Sequence, residues 1–404
     1  MKVETARWLV SDQGRELLGC DLDPDSLADA SRLRRSMDAE RAAAVMGQVA
    51  LRRKAVTKFG SAAAGLFFTP AGLEQASRPD VARWRARRFA STGAGRVVDL
   101  GCGLGTDALA LLSAGIEVRA VEIDPVTAVF AEANLGIPVT VADATQVPVG
   151  VGEAVFADPA RRTARGRTWR VADFSPPWDF VTGLLKGRTA CLKLGPGVPH
   201  AMLPRDCATT WISHRGDVVE ASVWSGAGTP GSRTALLLPG GLELSGEETT
   251  GTAAGEARRA ERREGPGRRV EIRLGDLIVE PDGAIIRAGL TDVLASRLGA
   301  VRIHPEIAYL YLAAAHDEQA LARVSQAGAC RAFRVLDVMA YHERTLKAWV
   351  RDQRIGCIEI KKRGIDVDPA VLRRRLRPHG DAAATLILTP TPDGARAISV
   401  QRLG

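Results

Sequence analysis

Val97-Val98-Asp99-Leu100-Gly101-Cys102-Gly103-Leu104-Gly105-Thr106-Asp107, followed by Val118-Arg119-Ala120-Val121-Glu122-Ile123-Asp124-Pro125, decides the fold. The apolar run over 96–100 reads as a buried strand that enters a glycine-rich turn, and the turn opens a helix over 107–114. A second strand ends in an acid, Glu122, 21 residues after Gly101. This is half of a doubly wound α/β sheet with a nucleotide-cofactor site at its strand ends.

The glycines let the backbone turn and approach a ligand closely. A dinucleotide fingerprint is G-x-G-x-x-G and offers helix N–H groups to a pyrophosphate. Here the spacing is Gly101-x-Gly103-x-Gly105, with Asp99 just before it. A carboxylate there repels a pyrophosphate and suits an ammonium. A third strand, 139–143, ends in Asp143. Glu122 and Asp143 each also read as ordinary solvated loop acids, and a nicotinamide or flavin site is the competing reading, but three acids at three strand ends fit one crevice. The pattern resembles motif I of class I S-adenosylmethionine methyltransferases. The resemblance implies that Asp99 lies near the methionine amino group, that Glu122 takes both ribose hydroxyls and that Asp143 meets the adenine amino group. Gly101, Cys102, Gly103, Gly105, Thr106, Ile123 and Ala144 complete the expected cofactor set.

With 404 residues, 46% of them hydrophobic and 25% charged, the chain is expected to form two or three globular domains. The first 18 residues are charged throughout, and no apolar run reaches the roughly 18 residues that span a bilayer; a cytoplasmic protein is expected. Six scattered cysteines without C-x-x-C spacing indicate neither a zinc site nor a disulfide framework, so no metal is expected. Cys191 lacks a second cysteine and base beside it in sequence and reads as a buried thiol. The net charge of +8 favours a polyanionic partner, although an arginine-rich composition also arises without one. Basic clusters lie at 52–58, 161–170, 361–363 and 373–377.

Helical periodicity runs over 3–18 and 24–51, with Asp23 placed to cap the second helix and Pro24 at its first position. A further helix is expected over 79–90. An N-terminal helical region, 1–90, then precedes a catalytic sheet over 91–246. Residues 247–269 are poor in hydrophobes and read as a linker or mobile loop. A small α+β domain is expected over 270–404, with a strand ending in Lys361-Lys362-Arg363 and a helix from Pro369 capped by Asp368.

The chemistry is expected after the fourth strand, because open α/β sheets bind ligands outside the carboxyl ends of their strands. There the chain reads Asp158-Pro159-Ala160-Arg161-Arg162, and Ser175-Pro176-Pro177-Trp178 comes later. Amino-methylating enzymes carry Asp/Asn-Pro-Pro-aromatic at this position. Their acid or amide and a prolyl carbonyl accept hydrogen bonds from the target NH2, and the aromatic ring stacks on the base. Two readings stay open: Trp178 returns to stack on a base, or it starts a helix and packs in the core. Arg161 and Arg162 either grip phosphate or meet the cofactor acids, or they are simply solvated.

From residue 58 onward the chain is similar to bacterial class I S-adenosylmethionine methyltransferases with a C-terminal THUMP-like domain, through 66–72, 97–105, 121–125, 158–162, 280–290 and 358–369. It resembles trimethylguanosine synthases more distantly. That second likeness makes Phe68 and Thr69 cofactor candidates, while the absence of Ser-Pro-Pro-Trp at the fourth strand itself speaks against a cap guanosine. The resemblance implies a Rossmann-like sheet, S-adenosylmethionine as cofactor, Asp158, Pro159 and Trp178 as catalytic residues, and methylation of a base nitrogen in tRNA or rRNA. Lys361, Lys362, Arg363, Arg373 and Arg374 are the expected phosphate contacts. The competing functions are a small-molecule or protein methyltransferase and a noncatalytic RNA-binding protein that holds the cofactor as a structural ligand.

Overall fold

The computed structural model describes residues 1–161, 169–247, 271–313, 322 and 328–403. Arg162 and residues 248–269 of the expected linker lie outside them. The chain divides into two compact units, Met1–Ala208 with Ala221–Pro230, and Thr209–Glu220 with Gly231–Gly404. Residues 209–220 and 231–246, which the sequence pattern groups with the catalytic sheet, therefore cluster with the C-terminal unit.

The first unit is built on strands β1 (Arg96–Leu100), β2 (Glu117–Glu122), β3 (Val139–Val141), β4 (Ala154–Ala157) and β5 (Ala190–Leu194). All five are parallel, and β1 lies between β2 and β4. The chain winds outward from β1 through β2 to β3, then reverses to β4 and β5, which makes the β1/β4 boundary the switch point where such sheets bind ligands. Four of the five β1 residues are buried, as a strand covered on both faces requires.

The N-terminal helices start and stop for local reasons. Helix Val3–Val10 gives way at Ser11 to helix Asp12–Leu18, and a Cβ at Gly14 would collide with the Leu9 carbonyl. The next helix begins one turn later than the Asp23-Pro24 pair suggests. Ser26 is its cap, accepting from the Asp29 N–H at 3.2 Å, while Asp23 accepts the N–H of Asp25. A second break comes at Asp38, which caps helix Ala39–Phe59 by accepting the Arg41 N–H. These helices share a core that includes Leu9, Val45, Phe67, Phe68, Leu104 and Phe130.

In the second unit, strands β6 (Ala208–His214), β7 (Asp217–Ser225), β8 (Ser232–Leu238) and β9 (Leu242–Glu247) come first in the chain. Strand β7 is divided: residues 217–220 belong to this unit, whereas residues 221–225 belong to the first unit and pair there with β5. Asp282 caps helix Gly283–Arg287 and also accepts from Ser213 Oγ of β6 at 2.9 Å. That contact ties β6 to the C-terminal residues, and helices Gly283–Arg287 and Thr291–Leu298 pack against β8 and β9. The remaining strands are β10 (Leu277–Pro281), β11 (Val301–Arg302), β12 (Leu310–Leu312), β13 (Cys330–Ala340), β14 (Ile355–Lys362), β15 (Ala382–Thr391) and β16 (Gly394–Leu403). They form one sheet in the order β11-β12-β10-β13-β16-β15-β14. Helices Glu343–Asp352 and Pro369–Leu376 bury Leu346, Val350, Leu372 and Leu376 in one core with Ile358, Ile360 and Leu386 of β14 and β15. Among the described residues no helix is long and apolar enough to cross a membrane.

Candidate active site

A cavity of about 460 Å³ opens at the carboxyl ends of β1, β2 and β4, within the range of small-molecule sites. Gly101, Cys102, Gly103, Thr106, Glu122, Ile123, Asp143, Ala144 and Asp158 all line it, whereas Asp99, the acid of the first strand, is not among its lining residues. Gly101 and Gly103 adopt φ of 87° and 56°, and a Cβ on either would meet no protein atom within 4 Å. The two glycines thus leave a space that no described residue fills. Gly105 differs: at φ 83° it caps helix Thr106–Ser113, and its added Cβ would press on Leu135.

The three acids have different surroundings. Asp99 is fully buried, and among the described residues neither of its carboxylate oxygens has a hydrogen-bond partner. Burial, reinforced by the neighbouring Asp158 carboxylate, pushes its pKa up to about 8. Glu122 uses one oxygen for the Gly103 N–H and the other for the Asp124 N–H, both at 2.9 Å, which locks the glycine turn to the end of β2. Asp143 is exposed and accepts from the Thr145 N–H at 2.8 Å. Ile123 presents an apolar side chain, 64% exposed, at the cavity edge. The Cys102 thiol is held well above its usual range by burial and by Asp99 and Glu122, which disfavours the thiolate.

Asp158 comes directly after β4, and the chain beyond it turns back. Ala160 and Arg161 pair antiparallel with Ser175 and Phe174, and this brings Ser175, Pro176 and Pro177 onto the cavity wall with Asp158 and Ala160. Two segments separated in sequence therefore assemble one acid-and-proline edge. Trp178 does not join it. It opens helix Trp178–Gly183 and packs on Phe174, ring centroids 4.8 Å apart, so the helix-start reading is the one its position matches. Pro159 lies next to Asp158 outside the wall, and the side chain of Arg161 is outside the described residues.

Sequence reading missed Lys193. This lysine interrupts the apolar strand β5, and its Nζ donates to Asp158 Oδ2 at 2.6 Å and to the Gln75 carbonyl at 3.3 Å. A lone cation in an otherwise apolar strand was the available signal. Asp158 Oδ1 has no partner among the described residues. Below the cavity Arg85, 1% exposed, forms an ion pair with Asp107 and stacks over Phe156 at 4.6 Å.

Phe68 and Thr69 sit behind the cavity and are absent from its wall. Phe68 is core, its backbone N–H and carbonyl both bonded to Gln48. Asn134 does the same for Phe67 and also donates to the Leu104 carbonyl of the glycine turn. Thr69 caps helix Pro70–Gln75, and Gly72, Gln75, Ala76 and Ser77 from that helix and just beyond line the cavity. Thr69 thus bears on the cavity through the helix it starts, whereas Phe68 belongs to the helical core.

The expected phosphate contacts divide likewise. Lys361 Nζ lies 3.0 Å from the mostly buried Glu280, and Arg363 lies 3.8 Å from the same carboxylate. Arg373 donates to the Ile358 carbonyl at 2.9 Å. Lys362 and Arg374 are exposed.

Over 355 residues the chain is 33% identical to a protein of Mycobacterium tuberculosis, in strains CDC 1551 and H37Rv, described as an uncharacterised S-adenosylmethionine-dependent methyltransferase; the match covers 84% of this chain and 90% of that one. The chain belongs to the S-adenosylmethionine-dependent methyltransferases. Residues 330–402 match the THUMP domain-like family, and residues 2–55 match a family described only as a domain of unknown function. The fold is shared with a provisionally assigned methyltransferase from Porphyromonas gingivalis W83, at a TM-score of 0.69 and 22% identity over 98% of this chain and 97% of that one. The protein is thus an α/β methyltransferase of Rossmann type with an N-terminal helical region and a C-terminal THUMP-like domain, and S-adenosylmethionine is its cofactor. The cavity suits that cofactor on its own evidence. A buried carboxyl group without a partner among the described residues comes two positions before the glycine turn, two glycines leave a cradle, and an apolar side chain is exposed at the edge.

Proposed function

We propose that this methyltransferase methylates a base nitrogen of RNA, tRNA or rRNA, with Asp158 accepting a hydrogen bond from the target amine. The observation that carries the reading is the assembly of Asp158, Pro176 and Pro177 on one cavity edge by the Ala160–Ser175 pairing. The RNA part is supported by the THUMP domain-like match and the net charge of +8.

Asp99 would hold the cofactor's ammonium, with the Glu122 and Asp143 region and Ile123 around its nucleoside. When bound, S-adenosylmethionine supplies an electrophilic methyl group on a sulfonium. The chain's own part is orientation. Lys193 engages Asp158 Oδ2 and leaves Oδ1 for an N–H of the target, which fixes the direction of the nitrogen lone pair. The prolines at 176 and 177 narrow the entrance and carry carbonyl acceptors without competing N–H donors. The proton shed by the methylated nitrogen passes to water, which reaches Asp158 because that side chain is 35% exposed.

The test is tritiated S-adenosylmethionine with RNA from cells lacking the enzyme. Label in RNA, lost in Asp158→Ala, is the expected result. Label in a protein or small-molecule fraction with none in RNA overturns it.

A further inference from the structure

In the C-terminal unit, helices Glu343–Asp352 and Pro369–Leu376 turn their apolar sides to the sheet and their basic sides to a shared groove of about 980 Å³. Its cations are Arg344, Lys347, Arg351, Arg374, Arg375 and Arg377. On the first helix they fall at i, i+3 and i+7, one stripe along a single face. Glu343 offsets part of this charge through Lys347 at 2.9 Å and Arg375 at 3.5 Å, and Asp352 meets Arg351 at 2.9 Å. Arg344, Arg374 and Arg377 carry no ion pair among the described residues. Like charges brought together without counterions cost stability, so a groove of this kind is retained for what binds it.

We propose that this groove seats the phosphate backbone of an RNA strand, and that the Lys361 and Arg363 side chains serve the fold instead. Lys361 and Arg363 are committed to Glu280, and Lys361 lies 5.4 Å from the centre of the Phe333 ring. The groove's remaining lining is Ala348, Val371 and the buried Leu376, which lacks the aromatic and aliphatic centre that a folded protein partner requires. It also lacks the exposed Trp, Phe or Leu side chains by which an amphipathic helix enters a lipid surface. A phosphodiester chain is narrow, tracks a groove and supplies one charge per residue. The inference rests on the RNA reading for the identity of the polyanion, but it concerns binding alone.

The test is filter binding of an unmodified transfer-RNA transcript by the full-length protein across a salt series. For Arg344→Ala/Arg374→Ala/Arg377→Ala, affinity should fall about tenfold or more, and the slope of log K against log salt should shrink by roughly two to three units. Lys362→Ala, on the strand exit, should change the slope by less than about one unit. The three arginines are exposed, and circular dichroism together with retained S-adenosylmethionine binding checks the fold. Wild-type RNA affinity and slope in the triple variant would overturn the proposal, as would a larger loss in Lys362→Ala. Loss of binding to anionic phosphatidylserine vesicles with RNA binding intact would assign the groove to a membrane and overturn it as well. Methyl transfer is scored separately: RNA that binds through the groove and is never methylated sinks the catalytic reading and leaves this one standing.

Discussion

Lys193 Nζ sits 2.6 Å from Asp158 Oδ2 and 3.3 Å from the carbonyl of Gln75, so one ammonium ties the candidate catalytic acid to the end of helix Pro70–Gln75. Lys58 Nζ caps the same helix end, donating to the Leu73 carbonyl at 2.8 Å, and burial lowers its pKa to about 8. The segment before β1 and the acid after β4 are therefore held in one frame.

Removing that tie should impair turnover more than cofactor binding. Lys193→Met keeps the aliphatic stem and deletes the charge, and a loss on the order of tenfold to a hundredfold in turnover is expected for one misplaced positioning contact. Lys193→Arg should recover part of it. Calorimetry with S-adenosylmethionine should give near wild-type affinity in both; a large loss there would move Lys193 into the cofactor site.

Asp158 itself separates by substitution. Asp158→Asn retains an acceptor oxygen and should keep part of the activity, whereas Asp158→Ala should lose about a hundredfold, or roughly 2.7 kcal/mol of barrier. Full methyl transfer by a folded Asp158→Ala enzyme would rule this residue out.

Asp99 gives a pH signature. Its folded pKa of about 8 stands above the roughly 3.9 of an unfolded aspartate, so between these values the folded chain holds a proton that the unfolded chain has released. The stabilisation is complete below the lower value and is lost as pH rises through the upper one. Denaturation midpoints of the ligand-free protein should carry a falling component from pH 5 to pH 8 that Asp99→Asn removes. The same ionisation favours an ammonium ligand, so S-adenosylmethionine affinity should rise across this window with proton release. Equal pH slopes in wild type and Asp99→Asn would contradict the assignment.

Asn134 is a structural counterpart. It bonds both backbone groups of Phe67 and the Leu104 carbonyl, and Asn134→Ala would leave these groups unpaired in a largely buried place. A cost of about 1–3 kcal/mol is expected, read as a lower denaturant midpoint, together with weaker cofactor binding because Leu104 belongs to the cavity wall.

The sequence was legible where local rules and tertiary demands agree. Strand β1 and its glycine turn, Glu122 at the end of β2 and the Asp368 cap all announce themselves through burial pattern and capping chemistry. The helices broke where a single side chain intervened, as at Ser26 and Asp38. Long-range partners left weaker traces. Gln48 bonds Phe68 across 20 positions and Lys193 bonds Asp158 across 35, and nothing in the periodicity of either segment encodes the other. Trp178 shows the same limit: its neighbours Pro176 and Pro177 reach the cavity, while the start of a helix turns the ring onto Phe174.

The pairing of Ala160 with Ser175 and Arg161 with Phe174 is a ladder of two residue pairs, and so short a ladder opens at far lower free energy than the sheet beside it. Mild heating or low denaturant would separate the proline edge from Asp158 while β1, β2 and β4 remain intact. The enzyme should then go silent well before it unfolds, still loaded with cofactor, so that its working temperature is set by two residue pairs and its melting temperature by the core.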